Sequence, residues 1–132
     1  MLRLSYKIGI WIDITTLVIQ KHNDDPQQLR DIATFIADID KNIPWHLSAF
    51  YPTYKLTDVD ATPRSSLKAA HRIGREAGLR NIYLGNVGGI SDTLCPHCGA
   101  TLIERRDMRS SRNRIEDNRC PECGAEVAGV WR

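Results

Sequence analysis

Two Cys-Pro-x-Cys-Gly segments, Cys95-Pro96-His97-Cys98-Gly99 and Cys120-Pro121-Glu122-Cys123-Gly124, constrain this chain more than any other feature. Each is a knuckle: a tight turn aims two sulfurs at one point, and the glycine that follows relieves the backbone there. Two knuckles form a tetrahedral thiolate cage suited to Zn²⁺. The 21 residues between the pairs are close to the spacing of a zinc ribbon. All four cysteines lie in the last 38 residues, whereas a secreted scaffold distributes its cysteines as staples. Rubredoxin-type iron uses the same knuckles, and two disulfides are the remaining alternative; structural zinc is the expectation. With Cys95, Cys98, Cys120 and Cys123 all supplied by the protein, the site is closed, which argues against a catalytic metal. His97 reads as an exposed spacer. A hairpin over 101–105 and 109–115, with a third strand over 126–131, would complete the ribbon.

The cysteines also divide the chain. Residues 1–90 contain none, and residues 91–132 are organised by them. Six arginines lie between the knuckles, and zinc ribbons often bind nucleic acid. Residues 91–132 nevertheless hold seven arginines and seven acids, so four thiolates on a divalent zinc leave the segment negative. A phosphate-binding surface needs a positive excess, which argues against nucleic acid and for solvated or interdomain salt bridges. The net charge of +2 over 132 residues gives no further push toward nucleic acid or membrane. No run of about 18 apolar residues exists to span a bilayer. The first ten residues lack the apolar stretch of a signal peptide, so the cytoplasm is the expected compartment.

Residues 1–90 alternate strand and helix patterns. Residues 10–19, IWIDITTLVI, are rich in β-branched and aromatic side chains. Asp25 can cap a helix with Pro26 at its first position, and Leu29, Ile32, Ala33, Ile36 and Ile39 form one apolar stripe. A second strand follows over 45–50. Thr62 and Pro63 start another helix carrying Leu67, Ala70, Ile73 and Ala77 inward, and Gly78 stops it. The third strand is expected over 81–87. The order β-α-β-α-β implies parallel strands with right-handed crossovers. A weak repeat relates REAGLRNIYL to SYKIGIWIDI, with Gly9 in the place of Gly78, so residues 2–8 read as the last turns of a helix. Two helices on one side leave the other sheet face open, and parallel sheets are normally covered on both faces. The rest of a barrel, or a partner chain, is expected to cover it; the alternative is a small self-sufficient α/β domain whose own ribbon lies over that face.

Strand alternation sends Ile12, Ile14, Leu47, Ile82 and Leu84 toward the helices. It gathers Asp13, Thr15, His46, Ser48 and Tyr83 on the opposite face, with Phe50 continuing that side of the second strand. Asp13, Thr15 and His46 should project together near the carboxyl ends of the first two strands. An apolar core would not tolerate such groups unpaired. A polar inner face of this kind suits the site-lining surface of an α/β barrel, the alternative being that Asp13 and His46 satisfy each other or water. No Ser-His-Asp set, P-loop or Gly-x-Gly-x-x-Gly is present.

IDITTLVI with Asn23-Asp24, then IPWHLSAFYPTYKLTD, ATPRSSL, REAGLRNIYLGNV and the knuckled tail with GVW resemble one family. It is the radical SAM enzyme of the AmmeMemoRadiSam system, related to pyruvate formate-lyase activating enzymes. The resemblance spans nearly the whole chain but only about the C-terminal third of the family's length. It implies a partial parallel (β/α) barrel followed by a zinc ribbon. In the full-length family it implies S-adenosylmethionine and a 4Fe-4S cluster. The cluster motif Cys-x-x-x-Cys-x-x-Cys does not occur here, and none of the four cysteines has its spacing. Asp13 stands where the family has glutamate, Gln20-Lys21 where it has Pro-Gly, and Tyr51 where it has histidine before Pro52. The resemblance places Asp13, Thr15, His46 and Ser48 on a cofactor-facing wall. The expected function is thus the C-terminal portion of a radical SAM enzyme, inactive as this chain alone. The alternative is a freestanding zinc-ribbon adaptor that binds protein or nucleic acid.

Overall fold

A computed structural model of the protein describes residues 1–89, 91–107 and 109–131. It is a mixed α/β chain with a three-stranded parallel sheet and a smaller antiparallel sheet. The elements of the first unit are α1 (Leu2–Lys7), β1 (Ile14–Val18), α2 (Pro26–Ile39), β2 (Trp45–Ala49), α3 (Arg64–Glu76) and β3 (Ile82–Gly85). The second unit holds β4 (Thr93–Leu94), β5 (Thr101–Arg106) and β6 (Arg109–Asn113).

The parallel sheet runs in the order β1-β2-β3, with Thr15, His46 and Tyr83 side by side across it. Its core forms because Trp45, Leu47 and Ala49 alternate inward on β2 and meet the apolar stripes of the two long helices. Leu29, Ala33 and Ile36 come from α2, and Leu67, Ala70 and Ile73 from α3. Ile82 completes this core, with Ile12, Ile14 and Leu84 packed against it, as strand parity requires. Gly74 allows α3 to lie close on the sheet: a Cβ there would stand 2.6 Å from the Ile82 side chain and 2.9 Å from the Trp45 ring. Asp25 caps α2 by accepting from the N–H groups of Gln27 and Gln28, and Pro26 occupies the first turn. Gly78 (φ +95°) ends α3, and Gly9 (φ +81°) follows α1 in the same way, as the repeat in the sequence suggests.

Several expectations are corrected. The first strand covers Ile14–Val18 and not 10–19, because the ladder begins with Ile14 opposite Trp45 and residues 10–13 have no strand beside them. The second and third strands are likewise shorter, Trp45–Ala49 and Ile82–Gly85. Phe50 lies beyond the end of β2, buried, and does not line the polar face. Thr62 does not cap α3, which follows Pro63 without a side-chain cap. The Thr62 hydroxyl turns instead to the sheet, donating to the Val18 carbonyl and accepting from the Phe50 N–H at 2.9 Å.

In the ribbon, the hairpin forms between β5 and β6, but the third strand is not at 126–131. The sheet order is β4-β5-β6, so its third member is the two-residue β4 ahead of the first knuckle. The tail makes one isolated bridge, Arg119 with Glu126, then curls so that the Trp131 indole donates to the Val127 carbonyl. The Trp131 ring fills the space that a side chain on Gly129 would need, 2.4 Å away.

Candidate metal centre and adjoining cavity

Both knuckles are built alike. The Gly99 N–H donates to the Cys95 carbonyl and the Gly124 N–H to the Cys120 carbonyl, each at 2.9 Å. Cys95 and Cys120 donate in turn to the carbonyls of Ala100 and Ala125. Gly99 and Gly124 sit at φ +76° and +70° with open space around an added Cβ, so backbone conformation, not crowding, calls for glycine.

The four sulfurs lie within 4.8 Å of one another. Cys95–Cys123 and Cys98–Cys120 are both 3.7 Å apart. Tetrahedral Zn–S bonds of about 2.3 Å place their sulfurs about 3.8 Å apart, whereas a disulfide needs about 2.05 Å. The donor set and its dimensions therefore fit a single tetrahedral ion such as zinc. Cys95 and Cys120 are buried, Cys98 and Cys123 exposed, and His97 is exposed outside the cluster.

The thiols themselves show why an ion belongs there. Burial pushes the Cys95 thiol up, but the N–H groups of Cys98 and His97 and the sulfurs of Cys98 and Cys120 outweigh it and bring it down to about 6. The Ala125 N–H favours a thiolate at Cys123, yet burial and the other three sulfurs push that thiol up to about 12. Cys98 is raised as well: the Ala100 N–H and the Cys123 sulfur favour its thiolate, but burial and the sulfurs of Cys95 and Cys120 outweigh them. A thiolate at Cys95 thus leaves Cys98 and Cys123 reluctant to ionise unless a cation offsets the charge. Metal binding must then displace protons from Cys98 and Cys123, and it weakens as pH falls.

The ribbon itself lies over the polar face of the parallel sheet, where the rest of a barrel or a partner chain was the expectation, and the two border a half-open cavity of about 690 Å³. Asp13, Thr15, His46, Ser48 and Tyr83 all line it, so the strand parity read from sequence is the one adopted. Their height in the sheet differs from expectation. Asp13 precedes β1, and Thr15 and His46 are each the second residue of their strands, so these three lie toward the amino ends. For Asp13 the cause is the late start of the ladder at Ile14, whereas β2 begins at Trp45 as expected and His46 stands second in it either way. Ser48, Gly85 and Asn86 occupy the carboxyl ends. A Cβ on Gly85 would meet the Ser48 hydroxyl at 2.8 Å, so this glycine keeps room for Ser48.

Asp13 and His46 do not pair with each other. The Trp11 indole donates to Asp13 at 3.1 Å, and the His46 ring lies 5.2 Å from that of Tyr83. Tyr51 donates to the Asn86 carbonyl at 2.6 Å, tying the loops after β2 and β3 together at the sheet's carboxyl end. From the ribbon, the Arg105 guanidinium stacks 5.2 Å over the Tyr83 ring and donates to the Thr93 hydroxyl, which is itself 2.9 Å from the Tyr83 hydroxyl. Sequence reasoning assigned Arg105 to solvated or interdomain salt bridges. It makes an interdomain contact, but with an aromatic ring. Arg114 pairs with Glu122 inside the ribbon at 2.5 Å. Thr93 carries no motif, and only its place before the first knuckle could have drawn attention to it.

No family model matches the chain, and no solved structure matches it significantly. An uncharacterized protein of Methanocaldococcus jannaschii is 43% identical over 106 residues, covering 78% of this chain and 32% of that protein. The chain thus spans about a third of the length of the curated relative it matches. No helix among the described residues is long and apolar enough to cross a membrane.

Proposed function

We infer that this chain is the late portion of a radical SAM-type (β/α) barrel, carrying a structural zinc ribbon over the barrel's inner side. The observation behind this reading is the sequential order β1-β2-β3, with core-forming helices on one face and the polar cavity wall on the other. In a barrel each parallel strand lies beside the next, helices ring the outside and the site opens at the carboxyl ends of the strands. The greater length of the archaeal relative agrees with this reading. So do the exposed side chains of Leu4, Ile8 and Ile10, which offer the rest of a barrel, or a partner chain, an apolar surface to cover.

On this reading S-adenosylmethionine and the 4Fe-4S cluster belong to the larger assembly, which supplies the cluster ligands. This chain contributes the wall of Asp13, Thr15, His46 and Ser48, with Ser48 nearest the strand ends where chemistry takes place. Tyr51, tethered to Asn86, braces the loops there and does not replace the family's histidine as a cofactor contact. Residence is cytoplasmic, and nucleic acid is not a partner.

The genomic reading frame upstream of Met1 tests this. An in-frame Cys-x-x-x-Cys-x-x-Cys is expected; a stop codon followed by a ribosome-binding site would contradict it and favour a freestanding adaptor. After anaerobic reconstitution with iron and sulfide, the chain alone should form no 5′-deoxyadenosine from S-adenosylmethionine. Its formation would also overturn the reading.

A further inference from the structure

The metal centre and the cavity meet in one short element. β4 consists of Thr93 and Leu94, and Cys95 follows directly. Leu94 pairs with Thr101 and Thr93 with Ile103, so the knuckle and β5 together fix where Thr93 stands. Thr93 is one of the few buried polar residues, 6% exposed, and its hydroxyl serves two partners. It meets the Tyr83 hydroxyl at 2.9 Å and accepts from the Arg105 guanidinium, which itself covers the Tyr83 ring. Tyr83 in turn packs beside His46 on the cavity wall. An unbroken series of contacts therefore runs from Cys95 through Thr93 to Tyr83 and His46.

The two ends of this series depend on different forces. Among the described residues the ribbon's core has five that are buried, two of them the cysteines Cys95 and Cys120. So small a core does not hold itself, and its folding energy must come from the ion. The sheet's core has thirteen buried residues and shares none of them with the ribbon. It can persist when the ion is removed.

We propose that Thr93 is a positioning residue through which the tetracysteine centre shapes the cavity. With metal bound, β4 is fixed and Thr93 and Arg105 clamp Tyr83 against His46. Without it, the clamp is released and the cavity loses its ribbon wall while the parallel sheet stays folded. Metal loading thereby regulates the wall that faces the cofactor in the reading above; the proposal rests on the metal assignment in that reading.

The test uses the full chain, first assayed for zinc and iron, then compared by NMR and amide hydrogen exchange before and after chelation. The Tyr83 ring signals are assigned with Tyr83→Phe. Chelation should shift them and speed exchange of the β3 amides about tenfold, with the α2 amides unchanged. Thr93→Val should keep one zinc per chain yet place the Tyr83 signals where chelation does, and Thr93→Ser should restore them. Absence of both zinc and iron would remove the metal assignment and this proposal with it. Either metal present, with Tyr83 indifferent to chelation or to Thr93→Val, would overturn the proposal alone. Loss of α2 protection on chelation would also overturn it, since the cores would then not be independent.

Discussion

The unit built on β1–β3 and the ribbon built on β4–β6 are held by different forces. In the first, Trp45, Leu47, Leu67 and Ile36 are almost fully removed from water, and helix stripes and strand alternation agree on one apolar core. In the second, Leu102, Ile103 and Val127 gather around two cysteines, and little apolar area is available. Burial at about 25 cal/mol per Å² can sustain the former, whereas on the proposed reading the latter relies on bonds to an ion that its four cysteines could hold. The same chain thus contains one region whose stability is spread over many side chains and one in which it is concentrated at a point.

The largest predicted effect follows from that concentration. Chelating the metal should unfold the ribbon outright while helical circular dichroism from α2 and α3 persists. A single cooperative loss of both would break the comparison. Next comes Trp45→Ala. This side chain is 0% exposed, touches the close approach at Gly74 and donates to the Thr16 hydroxyl at 2.9 Å. Its removal should cost about 3–5 kcal/mol in urea unfolding of the sheet unit, with zinc content unchanged.

What the sequence discloses differs between the two regions for the same reason. Where apolar burial is periodic it can be read directly: the start of α2 at Pro26, its Asp25 cap and its apolar stripe follow from residues that carry local signals, although the helix ends at Ile39, ahead of the expected stop at Asn42 and Pro44. The polar wall of Thr15, His46 and Tyr83 follows from parity alone. The cysteine cluster is legible because its spacing is chemical. The sites of error are those fixed by tertiary contact. Residues 10–13 have good strand composition but no neighbouring strand, and Thr62 has a capping side chain that the sheet claims first. β4 is too short to show a period, and the tail over 126–131 curls to seat Trp131 where a strand was expected. Asp13 falls outside β1 because the ladder starts at Ile14, and His46, second in β2, lies at the amino end that parity alone does not specify.

Smaller effects sharpen the picture of the sheet unit. Asp25→Ala leaves the N–H groups of Gln27 and Gln28 without their acceptor and should cost about 1 kcal/mol, read by urea unfolding. Asp25→Asn should recover most of it. The smallest effect concerns His71 on α3, whose pKa is lowered by burial and by the Arg75 charge. Because the unfolded chain takes up this proton more readily, His71's contribution is complete above its ordinary value of 6.5 and is lost as pH falls below that. His71→Gln should flatten that part of the stability–pH curve.

On the proposed reading a four-sulfur metal site, not a hydrophobic core, holds the second region together. X-ray absorption at the metal edge of protein purified under reducing conditions tests this most directly. The account predicts about one zinc per chain with four sulfur neighbours at about 2.3 Å. Protein that is folded throughout residues 91–131 and carries neither zinc nor iron would contradict it.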